Sequence, residues 1–97
     1  MALGINRYKA RVSCRGLLHD EGASAPRDIL DEFSHRPWHA NVRCGWDGVS
    51  LWLEAENDYD ANGSALLDEF SDAVVACIKA SGTISFAVDF AHEVVHG

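Results

Sequence analysis

Along much of the chain, apolar residues alternate with polar ones, which is typical of a β-strand with one buried face. The first such segment runs from Tyr8 to Leu18, and its polar positions are Lys9, Arg11, Ser13 and Arg15. Three further segments, at 38–46, 49–56 and 84–90, show the same alternation. Asp47 and Gly48 form a strong hairpin turn signal between the second and third of these. The pattern therefore predicts four half-buried strands.

The same alternation assigns individual side chains to one face or the other. It directs Trp38, Trp46 and Phe90 toward the core and sends His39 and Trp52 to the opposite face. An outward tryptophan indicates a contact surface, although a shielded surface tryptophan is the more ordinary explanation.

Two segments have the spacing of amphipathic helices. The first is predicted to follow a polar turn at 19–24, with Ser24 as its N-cap and Pro26 in its first turn. The second is predicted from about Ser64 to Ala80, with Gly82 as a stop signal. Their sequences contain an echo, since ILDEFS at 29–34 recurs as LLDEFS at 66–71.

The predicted order is β-α-β-β-α-β, the ferredoxin-like arrangement. We expect one α+β domain over residues 1–97, with a four-stranded antiparallel sheet, two helices on one face and a frayed tail at about 93–97. An internal echo fits this fold, which consists of two βαβ halves, although convergence on a common helix pattern could also produce it.

Composition narrows the classes of partner. Fifteen acidic residues against eight basic ones give a net charge of -7, which disfavours nucleic-acid binding and favours a basic protein or a cation. No apolar run is long enough to span a membrane. Three widely spaced cysteines, and no signal peptide, indicate reduced thiols in a cytoplasmic protein.

The loop DYDANGSALLDE, at 58–69, matches the calcium-loop pattern D-x-[DN]-x-[DN]-G-x5-E. The resemblance to EF-hand loops implies calcium ligands at Asp58, Asp60, Asn62, Ser64 and Glu69. A strand precedes this loop where an EF-hand has a helix. The alternative is therefore a polar turn in which Asn62 or Ser64 caps the second helix.

The segment HEVVH, at 92–96, matches the zinc-peptidase signature H-E-x-x-H. The resemblance implies zinc ligands at His92 and His96 and a general base at Glu93, all presented by a helix. The residues before it have a strand pattern, so a zinc-dependent hydrolase is the least favoured function.

The favoured function is a non-enzymatic interaction protein that forms a homodimer or binds a basic protein. Its binding surface would be the polar face of the sheet around Arg11, Arg43, Trp52 and Glu54. A calcium-binding domain is the alternative.

Overall fold

The computed structural model describes residues 7–94. Its elements follow the order β1 (Arg7–Arg15), α1 (His19–Phe33), β2 (Ala40–Trp46), β3 (Ser50–Asn57), α2 (Ser64–Cys77) and β4 (Ser85–Val94). Neither helix in this range is long and apolar enough to cross a membrane.

The four strands form one antiparallel sheet in the order β2-β3-β1-β4, so the ferredoxin-like topology is confirmed. Both helices pack on one face and bury a single core. The core side chains of β1 and β3 larger than alanine are Val12, Cys14, Leu51 and Leu53, and those of the helices are Ile29, Phe33, Leu66, Phe70 and Val74. In the echoed segments, the matched residues Ile29 and Leu66 are buried, and so are Phe33 and Phe70.

Helix α1 begins at His19, five residues before the predicted cap at Ser24. The cause is Glu21, whose carboxylate accepts the backbone N–H of Leu18 at 2.8 Å and so begins the helix earlier. The predicted polar turn at 19–24 is therefore wrong, and Pro26 lies inside the helix. Glu21 also accepts hydrogen bonds from the backbone and hydroxyl of Ser81, which ties α1 to the segment before β4.

Helix α2 begins at Ser64 as predicted but ends at Cys77, three residues before the predicted end at Ala80. Ile78 already has extended backbone angles, and its N–H still bonds the carbonyl of Val74 at 2.8 Å. Helix α2 therefore ends before Gly82, and Gly82 is not its stop signal.

Two irregularities change which side chains face the core. In β4 the register with β1 shifts at Asp89, so that Phe90 lies opposite Arg11 on the face away from the helices. The prediction that Phe90 faces the core is therefore wrong. The second irregularity is near the start of β2, where Asn41 has a φ of 53° and the pairing with β3 is irregular.

The start of β2 also differs from the prediction. His39 precedes the strand and is 6% exposed, whereas the alternation sent it outward. Trp38 is 51% exposed, so its assignment to the core is wrong. Trp46 is half-buried and packs against α1 at Gly22.

We predict that Gly22→Ala destabilises the protein although alanine favours helices. A Cβ at this position would collide with the Trp46 indole, and overpacking of this kind costs about 1–3 kcal/mol. Thermal unfolding followed by circular dichroism should show a loss of several degrees in Tm. Gly82→Ala, where a Cβ meets open space, is the control and should leave Tm unchanged. Equal behaviour of the two variants would contradict the proposed packing.

Candidate interaction surface

The face of the sheet that carries no helix, here called the open sheet face, is organised in cross-strand rows. Each row takes one residue from β2, β3, β1 and β4 in that order. The three complete rows are Ala40–Glu56–Lys9–His92, Arg43–Glu54–Arg11–Phe90 and Gly45–Trp52–Ser13–Ala87. All four residues predicted as a binding surface therefore lie in two adjacent rows, while their role in binding stays a prediction.

Glu54 lies near the centre of the open sheet face and is 8% exposed. Lys9 Nζ and Arg11 Nε each lie 3.5 Å from one of its carboxylate oxygens. These distances are long for charge-assisted hydrogen bonds. Within residues 7–94, Glu54 Oε1 and Arg11 Nε are both buried and have no hydrogen-bond partner. The cluster of Lys9, Arg11 and Glu54 thus contains a donor and an acceptor that form no hydrogen bond.

The Trp52 side chain is held in place by neighbours on both adjacent strands. The Arg11 guanidinium lies over its ring, 4.1 Å from the centroid. On the other side its indole lies beside Gly45, where a Cβ would come within 2.7 Å of the ring. The missing side chain at position 45 therefore makes room for the indole, and an ordered aromatic surface results.

Phe90 and His92 add a second aromatic pair to the same face, with ring centroids 5.4 Å apart and planes nearly parallel. The register shift at Asp89 causes this placement. The Ser13 hydroxyl donates a hydrogen bond of 2.9 Å to the Asp89 carboxylate beside the shift. Sequence reasoning missed Phe90 because strict alternation gives no local signal of a bulge.

Charge is divided unequally between the two layers of the fold. Basic residues on the helices are limited to Arg27, whereas their acidic residues are Asp20, Glu21, Asp28, Asp31, Glu32, Asp68, Glu69 and Asp72. On the open sheet face, Lys9, Arg11 and Arg43 stand beside Glu54 and Glu56, and Arg15 lies opposite Ser50. The negative charge of the chain therefore belongs mainly to the helices, and the open sheet face carries both signs.

The predicted calcium loop is organised as a helix cap. Asp60 is 4% exposed, and its two carboxylate oxygens accept the backbone N–H groups of Ala65 and Leu66 at 3.0 and 2.9 Å. Asn62 Oδ1 accepts the N–H of Ser64 at 3.0 Å. Asp58 is exposed, and Gly63 takes the left-handed conformation with a φ of 79°. Asp60 is therefore the main capping residue of α2, although the sequence pattern predicted it as a calcium ligand.

Glu69, the predicted closing ligand of that loop, has other partners. Its carboxylate lies 2.9 Å from His39 Nε2 and 3.1 Å from Arg36 Nε. In the part of the chain that the structure describes, no group of three His, Cys, Asp or Glu side chains could hold a metal ion. Calcium binding stays a prediction, and it requires Asp60 and Glu69 to exchange their present partners for the ion.

The contacts around His39 fix its tautomer. Asn57 Oδ1 accepts the N–H groups of Tyr59 and Asp60, so the Asn57 amide nitrogen faces His39 Nδ1 at 3.3 Å. An amide nitrogen only donates, so Nδ1 accepts and Nε2 donates to Glu69. Burial, followed by the nearby Glu69 carboxylate, raises the pKa of Tyr59. This cluster fastens the segment before β2 to α2.

The zinc-peptidase motif lies mostly in β4. His92 pairs with Lys9 and Glu93 with Tyr8, so these two adjacent side chains lie on opposite faces of a strand. Val94 continues the strand opposite Arg7, beyond the predicted start of a frayed tail. His96 lies outside the described residues. The helical geometry that the zinc signature needs is absent at residues 92–94.

The three cysteines are free thiols. Burial raises the pKa of Cys14 to about 11 and that of Cys44 to about 12. The pKa of Cys77 is also raised, first by burial and then by nearby acidic residues of α1. A raised pKa keeps these thiols protonated at neutral pH, which disfavours their use as nucleophiles.

Comparison with known proteins found no match: no family model fits the chain, and no curated protein or solved structure is significantly similar to it.

We predict that Asp60→Ala destabilises the protein by about 1–2 kcal/mol, because two N–H groups at the start of α2 lose their acceptor. Asp58→Ala, at an exposed position of the same loop, should change stability by less than about 0.5 kcal/mol. Urea unfolding monitored by tryptophan fluorescence measures both values. Comparable losses would contradict the assignment of Asp60 as the cap.

The calcium alternative is tested by melting chelator-treated protein with calcium or with magnesium. A ligand that binds only the folded state raises Tm, so a calcium-selective rise that Asp58→Ala abolishes would establish the loop as a site. An unchanged Tm with both ions would reject it.

We predict that Glu69→Ala destabilises the protein by about 1–3 kcal/mol, since it leaves the buried His39 Nε2–H without an acceptor. Asp68→Ala removes an equal charge from the neighbouring exposed position and should cost less than about 0.5 kcal/mol. Urea unfolding at neutral pH compares the two variants. An equal loss of stability in both variants would contradict this role of Glu69, because it would mean that stability depends only on the net charge of α2.

Proposed function

We propose that this chain is a small non-enzymatic binding protein that forms a homodimer through its open sheet face. The observation that carries the proposal is the Arg11–Trp52 stack, which stands beside Phe90 in the middle of that face. Aromatic residues and arginine are the side chains most enriched in protein interfaces and their hot spots. The stack is already ordered by Gly45, so binding would lose little side-chain entropy.

A second copy of the chain is favoured over a basic partner at this face, because the open sheet face already carries its own basic residues. A basic protein would instead meet the acidic residues of the helices, and this is the second candidate function. The three free thiols support a reducing compartment such as the cytoplasm.

The dimensions of the face set an expectation for affinity. Four strands spaced about 4.8 Å apart and about seven residues long give roughly 450 Å² of flat area per copy. An interface of this size is at the low end for specific complexes. The dimer should therefore be reversible, and measurements must reach high protein concentrations.

We predict that sedimentation equilibrium detects a monomer–dimer equilibrium for the unaltered protein. Trp52→Ala removes the central aromatic group and should weaken dimerisation by about tenfold or more. Trp38→Ala is the matched control, because Trp38 is an exposed tryptophan outside the sheet, and it should leave dimerisation unchanged. Circular dichroism establishes that each variant is folded.

Two results would overturn the proposal. One is a monomer at every concentration, and the other is a folded Trp52→Ala variant that dimerises as strongly as the unaltered protein.

A further inference from the structure

The two central strands carry complementary side chains at matching levels of the open sheet face. Lys9 and Arg11 of β1 lie at the same levels as Glu56 and Glu54 of β3. One level further along, the small Ser13 of β1 stands opposite the large Trp52 of β3. At these levels β1 thus carries basic residues and a small residue, and β3 carries acidic residues and a large one.

We infer that two copies pack their open sheet faces together around a two-fold axis that runs parallel to the strands, between β1 and β3. This inference rests on the proposed homodimer and specifies its geometry. Rotation about this axis reverses the order of the strands across the sheet but leaves each residue at the same position along the strand direction. As a result, β1 of each copy lies over β3 of the other. Sheets that pack this way are about 10 Å apart and nearly aligned.

This axis brings opposite charges together at two levels of the face. Lys9 faces Glu56 of the second copy, and Arg11 faces Glu54 of the second copy. The second copy's guanidinium thereby adds positive charge above the Glu54 carboxylate, whose Oε1 is buried within its own chain beside Lys9 Nζ. Each contact occurs twice because the interface is isologous.

The shapes also match around this axis. The Trp52 indole, which leans toward β2 over Gly45, meets the small Ser13 and Ala87 of the second copy. In the adjacent row, Arg43 faces Phe90 of the second copy, which is a favourable cation–π pairing. Large groups thus meet small ones, and a cation meets an aromatic ring.

The other two-fold axis that lies in the interface runs across the strands, and it gives a poorer match. It would place β1 over β1 and β3 over β3 of the second copy, so that the strand carrying Lys9, Arg11 and Arg15 would lie over the same basic strand. Like charges placed directly opposite are destabilising. Charge therefore selects the axis parallel to the strands.

The test uses Lys9→Glu and Glu56→Lys in separate chains. Each variant alone should dimerise about tenfold or more weakly, because both copies of the Lys9–Glu56 contact become repulsive. An equal mixture should recover dimerisation, since both contacts are again attractive in the mixed dimer. Arg27→Glu and Asp28→Lys on α1 form the control pair, with the same changes of charge away from the sheet.

Sedimentation equilibrium and native mass spectrometry of the single variants and the mixture provide the readout. A mixed dimer that is preferred over both homodimers, with no preference in the control pair, would support the axis. Dimers that form equally in the unaltered protein, the single variants and the mixture would overturn the axis while leaving self-association established. A monomeric unaltered protein would instead overturn the proposed function.

Either charge reversal could unfold the chain, because Lys9 lies 3.5 Å from the buried Glu54 and Glu56 accepts a hydrogen bond from Asn41 within the same sheet. The neutral variants Lys9→Met and Glu56→Gln then serve as the second pair. Their mixture retains one attractive contact where each homodimer has none, so the mixed dimer should again be preferred. A statistical distribution of dimers from this folded pair would overturn the axis.

Discussion

The antiparallel register between β1 and β3 is the constraint on which the rest of the structure depends. It places Val12 opposite Leu53 and Cys14 opposite Leu51 on the face that the helices cover. It also sets Arg11 beside Glu54 on the opposite face. A slip of one residue would exchange these two sets, burying the charges and exposing the core. Packing and surface chemistry are therefore determined together by one pairing.

Much of this fold follows from periodicity. The alternation of apolar and polar residues in β1 and β3, and the echo between the helices, suffice for the element order and the inward residues of both central strands. Interactions between distant residues were not predictable in this way. Phe90 reaches the open sheet face only because β4 shifts its register against β1. His39 is buried because Asn57 and Glu69, far along the chain, provide partners for both ring nitrogens.

The acidic loop shows why a motif can be matched while its residues have other roles. The spacing of Asp60, Gly63 and Glu69 meets the requirements of a calcium loop, yet the same spacing suits a helix start. Asp60 accepts two N–H groups of α2, and Glu69, about one turn further along that helix, meets His39 and Arg36. A carboxylate near a helix N-terminus is favoured by the backbone dipoles with or without an ion. The sequence pattern alone does not separate these two uses.

The central claim is that the open sheet face is where copies of this chain meet. Its most direct test is a dilution series of two-dimensional ¹H–¹⁵N NMR spectra. We expect concentration-dependent shifts at Lys9, Arg11, Trp52, Glu54 and Phe90, including the Trp52 indole N–H. Residues on the exposed side of α1 should stay unchanged. Spectra that do not change with concentration, or shifts confined to the helices, would contradict the claim.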